Sequence, residues 1–321
     1  MKKTILIAHR GASGYLPEHS LAAKALAHAM GADYLEQDVV LSADGIPLVL
    51  HDIYLDTTTD VHRHFPKRSR SDGRYYAIDF TLAEIRRLNV HERSKSHPDK
   101  HEVAVYPERF PLADIPLKIP TLLEEIEFIA GLDHSRQCST GLYIELKAPN
   151  FHLNEGMDIA DRVLATLEHS TYAKRKEQIF LQCFDDATLR RLRFEFNTPL
   201  PLIQLIADNS WGEDSKVDYN WLQSTQGLRH IATYADGIGP WLQQIYLGRS
   251  DNGKFQLNPL VEQAQTLGLL VHPYTFRRDE LPPGINSFDE LLNLFICQLG
   301  IDGLFTDFPD LVRHFIDTRQ S

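Results

Sequence analysis

A TIM-type (β/α)8 barrel is the fold class this sequence predicts, and three observations predict it. Strand-like and helix-like runs alternate over most of the chain, which implies a parallel sheet covered by helices. About eight β-then-α units fit into the 321 residues, an ordinary size for a closed barrel. Acids and imidazoles gather just after strand-like runs, where such a barrel carries its functional loops. A doubly wound open sheet is the runner-up. It loses support because no G-x-G-x-x-G follows the first strand-like run.

The elements follow in order. Thr4–Ala8 reads as a strand, and Leu21–Met30 as an Ala-rich helix. Tyr34–Leu41 and Ile46–Leu50 read as extended. Thr121 and Glu124 make a capping-box signature for a helix over Leu122–Ala130. A strand over Leu142–Leu146 and a helix near Gly156–Glu168 come next. Ile179–Gln182 is strand-like, and Asp185–Phe194 is a helix opening on acids, which suits its macrodipole. Leu202–Ile206 is extended, Leu228–Tyr234 helical and Gly237–Gly239 extended, and Leu260–Leu267 is a helix stopped by Gly268. Leu269–Val271, Phe288–Leu299, Gly303–Phe305 and Leu311–Ile316 complete the series.

Ile53–Lys118 breaks this rhythm, being rich in Arg, His, Asp, Pro and Tyr. It reads as an insertion after the second strand, on the C-terminal face of a single domain spanning residues 1–321. Thr81 and Glu84 suit a second capping box, so a short helix is expected over Thr81–Leu88. The basic run Arg63–Arg74 is either a solvated surface or a landing patch for anionic substrates. In Asp208–Gln226, the aromatics Trp211, Tyr219 and Trp221 either cap a pocket or anchor a long loop.

Composition narrows the function. The formal net charge is -11, which argues against nucleic acid as the main partner, because phosphate backbones attract surplus Lys and Arg. The three cysteines are far apart and give neither a disulfide framework nor zinc spacing. No run approaches the ~18 apolar residues of a membrane span. Lys2 and Lys3 precede an apolar run of only about five residues, too short for a secretory signal. The chain as written is therefore expected in the cytoplasm, with a periplasmic location after leader removal as the alternative. A homodimer stays open, since no apolar stripe marks an interface.

Glu36 and Asp38 share one face of a strand, about 7 Å apart along the chain. Two carboxylates facing the same way repel, unless a cation lies between them. Leu35, Val39, Val40 and Leu41 suggest that this strand is buried, so a hard divalent ion such as Ca2+ or Mg2+ is implied. Glu145, at the end of a later strand, is a candidate third ligand. His9 and His51 each end a strand-like run, at equivalent strand ends around the acidic pair. Imidazoles there suit proton transfer near neutrality. Arg10 and Lys147 flank these groups and are candidates for phosphate contacts. Gly11 and Gly14 would let their loop approach a ligand closely.

The combined pattern resembles the glycerophosphodiester phosphodiesterase family. It is carried by Ala8-His9-Arg10-Gly11-Ala12, Pro17-Glu18-His19-Ser20, Gly31-Ala32-Asp33-Tyr34-Leu35-Glu36-Gln37-Asp38, Asp44-Gly45 and His51-Asp52. Glu145-Leu146-Lys147, Leu181-Gln182-Cys183-Phe184, Val271-His272-Pro273-Tyr274-Thr275 and Gly303-Leu304-Phe305-Thr306-Asp307-Phe308-Pro309 extend it over nearly the whole chain. The insertion, with Asp72-Gly73-Arg74-Tyr75-Tyr76, is similar to that of the bacterial periplasmic type, whose members carry a leader absent here. The resemblance implies a barrel that hydrolyses deacylated phospholipids such as glycerophosphocholine and glycerophosphoethanolamine. Products would be sn-glycerol 3-phosphate and an alcohol.

By motif, His9 and His51 match the family's acid/base pair. Glu36, Asp38 and Glu145 match its metal ligands, Ca2+ being usual for the periplasmic type and Mg2+ for other members. Arg10 and Lys147 match phosphate-binding positions, and Glu18 matches an acid near the site. Gln182, Phe184, Trp241, Tyr274 and Phe276 follow or end later strands and are candidates to line the pocket. Aromatic faces there would suit a choline cation. The nucleophile is water or the neighbouring glycerol hydroxyl. The alternatives are a non-catalytic binding or adhesin-like protein on the same barrel, and an enzyme acting on intact or lyso-phospholipids.

Overall fold

A computed structural model describes residues 4–96 and 102–320. Lys2, Lys3 and residues 97–101 of the 53–118 segment lie outside the described residues. The strands are β1 (Ile5–Ala8), β2 (Tyr34–Leu41), β3 (Pro47–Val49), β4 (Ser94–Ser96), β5 (Glu102–Ala104), β6 (Gly141–Leu146), β7 (Ile179–Cys183), β8 (Leu202–Ile206), β9 (Gly237–Pro240), β10 (Tyr246–Arg249), β11 (Phe255–Leu257), β12 (Leu270–Val271) and β13 (Gly303–Thr306). Eight of them form the parallel order β12-β9-β8-β7-β6-β2-β1-β13. Backbone bonds close the two edges: Asp302 N to Val271 O, Phe305 N to Pro273 O and Phe276 N to Phe305 O, at 2.8–3.1 Å. The result is the expected α/β barrel.

Side-chain alternation explains where the barrel interior changes character. Ile7, Tyr143, Phe180, Ile203 and Phe305 fill the middle as an apolar plug. Tyr143 stacks on Phe180 with ring centroids 4.9 Å apart, and Phe305 meets Tyr143 edge-on at 4.9 Å. A residue two positions farther along a strand faces the same way. So Ile7 leads to His9, Tyr143 to Glu145, Phe180 to Gln182 and Phe305 to Asp307. The register sets Asp38 beside Glu145, and Glu145 beside Gln182. A polar ring thus sits on the plug at the C-terminal mouth, where barrels carry their sites.

Most expected elements are present with shifted ends. The helix after Thr121 runs to Arg136, past Ala130, and both capping boxes form as read. The helix expected from Gly156 starts at Ile159, because the Asp158 side chain caps it. A short helix, Pro149–Asn154, escaped the sequence reading. The run after Phe288 is α-helical only to Leu292 and π-helical over Asn293–Gln298.

One expectation needs correcting. His51 does not end a barrel strand equivalent to that of His9. β3 folds back antiparallel on β2, pairing Leu41 with Pro47 and Val39 with Val49. The turn between them has Gly45 at φ +71. β2 therefore rises past the mouth, and the returning strand delivers His51 down onto the rim. The expectation failed because Ile46–Leu50 looks extended either way, and direction is invisible in a run so short.

Residues after β3 build a second apolar core, in which Leu55, Val61, Phe80, Ile85 and Leu88 pack under Val40 and Leu48. Truncating a fully buried ring such as Phe80 to Ala would cost about 3–5 kcal/mol. The basic run is not a free landing patch. Arg63, Arg68, Arg70 and Arg74 pair with Asp114, Glu84, Asp79 and Asp56. Among the described residues, no helix is long and apolar enough to cross a membrane. All three cysteines are free thiols.

Candidate active site

The loop after β1 turns sharply to start the site. Arg10 adopts φ +57 and Gly11 φ +87. A Cβ on Gly11 would lie 2.9 Å from the Ala23 backbone, so close helix packing demands glycine there. Gly14 serves a similar purpose, against protein and not ligand: its missing Cβ makes room for the Phe308 ring. The turn leaves Arg10 N donating to Glu36 Oε2 at 2.8 Å.

Glu36, Asp38 and Glu145 come together, buried, with one carboxylate oxygen from each within 4.8 Å of the others. Burial, with Asp38 alongside, pushes the Glu36 and Glu145 carboxyls up. Burial acts on Asp38 too, but His51, His19 and Lys147 hold it well below the usual carboxylate range. Asp38 Oδ1 is buried without a hydrogen-bond partner. Three oxygen donors with an orphaned carboxylate atom fit a hard divalent cation. His19 Nε2 sits 2.8 Å from Asp38 Oδ2, and Gln182 Nε2 donates to Glu36 Oε1 at 3.1 Å.

Both histidines lie at this cluster. His9 Nε2 is 3.9 Å from Glu36, and His51 Nε2 is 3.4 Å from Lys147 Nζ. Each is oriented from behind by an aspartate. His9 Nδ1 is 2.6 Å from Asp307 Oδ1, and His51 Nδ1 is 2.5 Å from Asp52 Oδ1. Burial works against ionising these acids, yet Arg277 and His9 hold Asp307 well down, while His51 and Arg93 do the same for Asp52. Ionised carboxylates only accept hydrogen bonds, so each Nδ1 donates and each Nε2 is left for chemistry. Burial, Arg10 and Lys147 push the His51 imidazole down to about 3, so it is neutral at pH 7.

Lys147 Nζ pairs with Glu145 at 2.7 Å, and Arg10 pairs with Glu18 at 3.0 Å. A cavity of about 360 Å3 opens above the cluster. His9, Arg10, Glu36, Asp38, His51, Glu145 and Lys147 line it, with Gln182, Phe184, Trp241 and Tyr274 around them. Two expected lining residues are elsewhere. Phe276 is fully buried against Phe295, because its strand position points it away from the mouth. Glu18 lines a smaller adjoining cavity instead, held between Arg10 and Arg93.

The sequence alone assigns no role to Asp52, Asp307, His19, Arg93 or Arg277. Asp52, Asp307 and His19 stand inside the family motifs, and the His51-Asp52 dipeptide is the available signal. Nothing local marks Arg93 or Arg277. The aromatic cluster divides: Trp211 lines the cavity at 5.1 Å from Trp241, while Trp221 packs on His230 outside it.

Comparison with known proteins places the chain in a family. The model of the glycerophosphoryl diester phosphodiesterase family matches residues 9–311. A glycerophosphodiester phosphodiesterase of Haemophilus influenzae is 41% identical, over 97% of this chain and 89% of the relative. One from Treponema pallidum is 38% identical, over 97% and 91%. Among solved structures, a putative glycerophosphoryl diester phosphodiesterase from Silicibacter pomeroyi shares the fold with a TM-score of 0.70 at 23% identity, covering 99% of this chain and 94% of that one. An Oleispira antarctica phosphodiesterase, solved with the product sn-glycerol-3-phosphate, has a TM-score of 0.61 at 24% identity, covering 98% and 96%. With a family match over nearly its whole length and relatives this similar, the chain belongs to the glycerophosphoryl diester phosphodiesterase family.

Proposed function

We propose that this protein hydrolyses glycerophosphodiesters, such as glycerophosphocholine and glycerophosphoethanolamine, to sn-glycerol 3-phosphate and an alcohol. One observation carries the reading: two aspartate-oriented imidazoles, His9 and His51, flank three buried carboxylates whose oxygens lie within 4.8 Å of one another. Glu36, Asp38 and Glu145 would hold a divalent ion, with Ca2+ preferred and Mg2+ the alternative. When bound, it supplies positive charge for the phosphate oxygens.

The chain's own groups do the rest. Arg10 and Lys147 contact the phosphate and oppose charge growing on its oxygens in the transition state. One histidine Nε2 takes a proton from the attacking water or neighbouring glycerol hydroxyl, and the other gives one to the departing alcohol oxygen; on the glycerol route a water then opens the cyclic phosphate to glycerol 3-phosphate. Asp52 and Asp307 keep both rings in the tautomer this needs. The 53–118 segment belongs to the same domain, and its Glu92, Arg93, Tyr106 and Arg109 close one side of the site. The product held by the Oleispira antarctica protein supports the substrate class.

A coupled assay for glycerol 3-phosphate, supplied with glycerophosphocholine, tests this. His9→Ala and His51→Ala should each lower kcat by about 10^3 or more. A chelator should abolish turnover, and Ca2+ or Mg2+ should restore it. Near-normal turnover in both variants, or indifference to the chelator, would refute the proposal.

A further inference from the structure

Two cavities meet at the histidines. The larger is the aromatic one described above. The smaller, of about 180 Å3, lies against the insertion, whose Glu92, Arg93, Tyr106 and Arg109 line it. His9, Arg10, His51 and Arg277 line both. A phosphorus within reach of both imidazoles therefore borders both cavities.

The walls differ in chemistry. Phe184, Trp211, Trp241 and Tyr274, with Glu213, suit an apolar or cationic alcohol in the large cavity. In the small cavity, Arg10, Arg93, Arg109 and Arg277 repel a cation. Those arginines are already engaged, two with Glu18 and two with Asp307. Glu92 is not. It is 3% exposed, and its Oε2 has no hydrogen-bond partner. Burial beside Glu18 pushes its carboxyl up to about 8. A neutral carboxyl offers one donor and one acceptor, which is what a hydroxyl pairs with.

We propose that the small cavity is the subsite for the glycerol arm, with Glu92 reading a glycerol hydroxyl and the other alcohol leaving into the aromatic cavity. The proposal rests on the hydrolase reading above. On this arrangement the insertion selects the glycerol end, while the barrel's aromatic side tolerates different alcohols. A buried polar group left unpaired by an analogue rejects that analogue strongly, whereas an apolar wall discriminates weakly.

Titration calorimetry of the full chain supplied with Ca2+, using sn-glycerol 3-phosphate and n-propyl phosphate, reads this directly. The wild type should bind glycerol 3-phosphate at least about tenfold more tightly. In Glu92→Leu the preference should shrink to about twofold, through weaker glycerol 3-phosphate binding alone. Glu92→Gln keeps a donor and an acceptor and should retain most of it. Equal Kd values in the wild type, or a joint loss of both ligands in Glu92→Leu, would overturn the subsite. Failure of the hydrolase reading would show separately, as no glycerol 3-phosphate released from glycerophosphocholine by the wild type.

Discussion

His9 takes its aspartate from the far end of the chain, 298 residues away, whereas His51 takes its own from the next residue. Asp307 stands just past β13 and reaches His9 because β1 and β13 pair, Ala8 against Thr306. It is 1% exposed and also carries Arg277 and Arg109. Asp52 follows the returning strand β3, has a side chain 16% exposed, and is braced by Thr57 and by Arg93 of the insertion. The same donor-acceptor pair is thus built once by barrel closure and once by an added segment. The first depends on the global fold, and the second on how well the insertion docks.

The largest effect is expected where the pair and the fold share a residue. Asp307→Asn can present its amide to His9 and favour the wrong tautomer, and it takes a buried shared counter-charge from Arg109 and Arg277, which keep only the more exposed Asp279 and Glu280. A fall in kcat of about 10^3 should accompany a loss of stability of about 3 kcal/mol, read by steady-state kinetics and denaturant unfolding. Unchanged stability would break the claim that this pair belongs to the barrel closure.

Acid conditions set the window in which the two pairs can be compared. His152 is buried with neither ring nitrogen partnered, and burial pushes it down to about 4. Its folded value is below the unfolded ~6.5, so the unfolded chain binds the extra proton, and stability falls as pH drops from 6.5 toward 4. The depressed Asp307 and Asp52 act in the same direction but at lower pH: their contribution is complete above ~3.9 and is lost only below it. Unfolding at pH 7 and pH 4 should therefore show His152→Leu spared about 3 kcal/mol of the wild type's loss, and the pair variants should be compared near pH 7.

Asp52→Asn should lower kcat by about 10^2 through the same tautomer error, but with a stability loss of only about 1 kcal/mol, because its side chain is partly solvated and Arg93 keeps Glu18. A stability loss matching that of Asp307→Asn would erase the distinction between the two routes.

The barrel half of this comparison was legible in the sequence, and the insertion half was not. Alternating runs located the barrel strands to within a residue or so, since burial on both faces makes them apolar throughout. Glu36, Asp38 and Glu145 stood out as acids inside such runs. What escaped were long-range partners. Arg93 and Arg277 look like any surface arginine until folding brings them to Asp52 and Asp307. The reversal of β3 and the burial of Phe276 away from the mouth escaped because a strand of three residues, or one aromatic after a strand, has no readable phase.

Arg93→Ala gives the smallest effect and the most discriminating one. Its guanidinium spans two acids, with NH1 2.7 Å from Asp52 and NH2 2.7 Å from Glu18. Removing it leaves Thr57 on Asp52 and Arg10 on Glu18, so neither acid is stranded. A fall in kcat of about tenfold is expected, and Arg93→Lys should not restore it, since a point charge cannot bridge both carboxylates as the fork does. If Arg93 acts on His51 only through Asp52, then adding Arg93→Ala to Asp52→Asn should slow the enzyme little further. Added to Asp307→Asn, the same change should multiply the two losses, because the second pair is still intact there to be damaged. Kinetics of the two double variants reads this directly, and equal additivity in both would mean that the insertion acts on the site as a whole and not on one histidine.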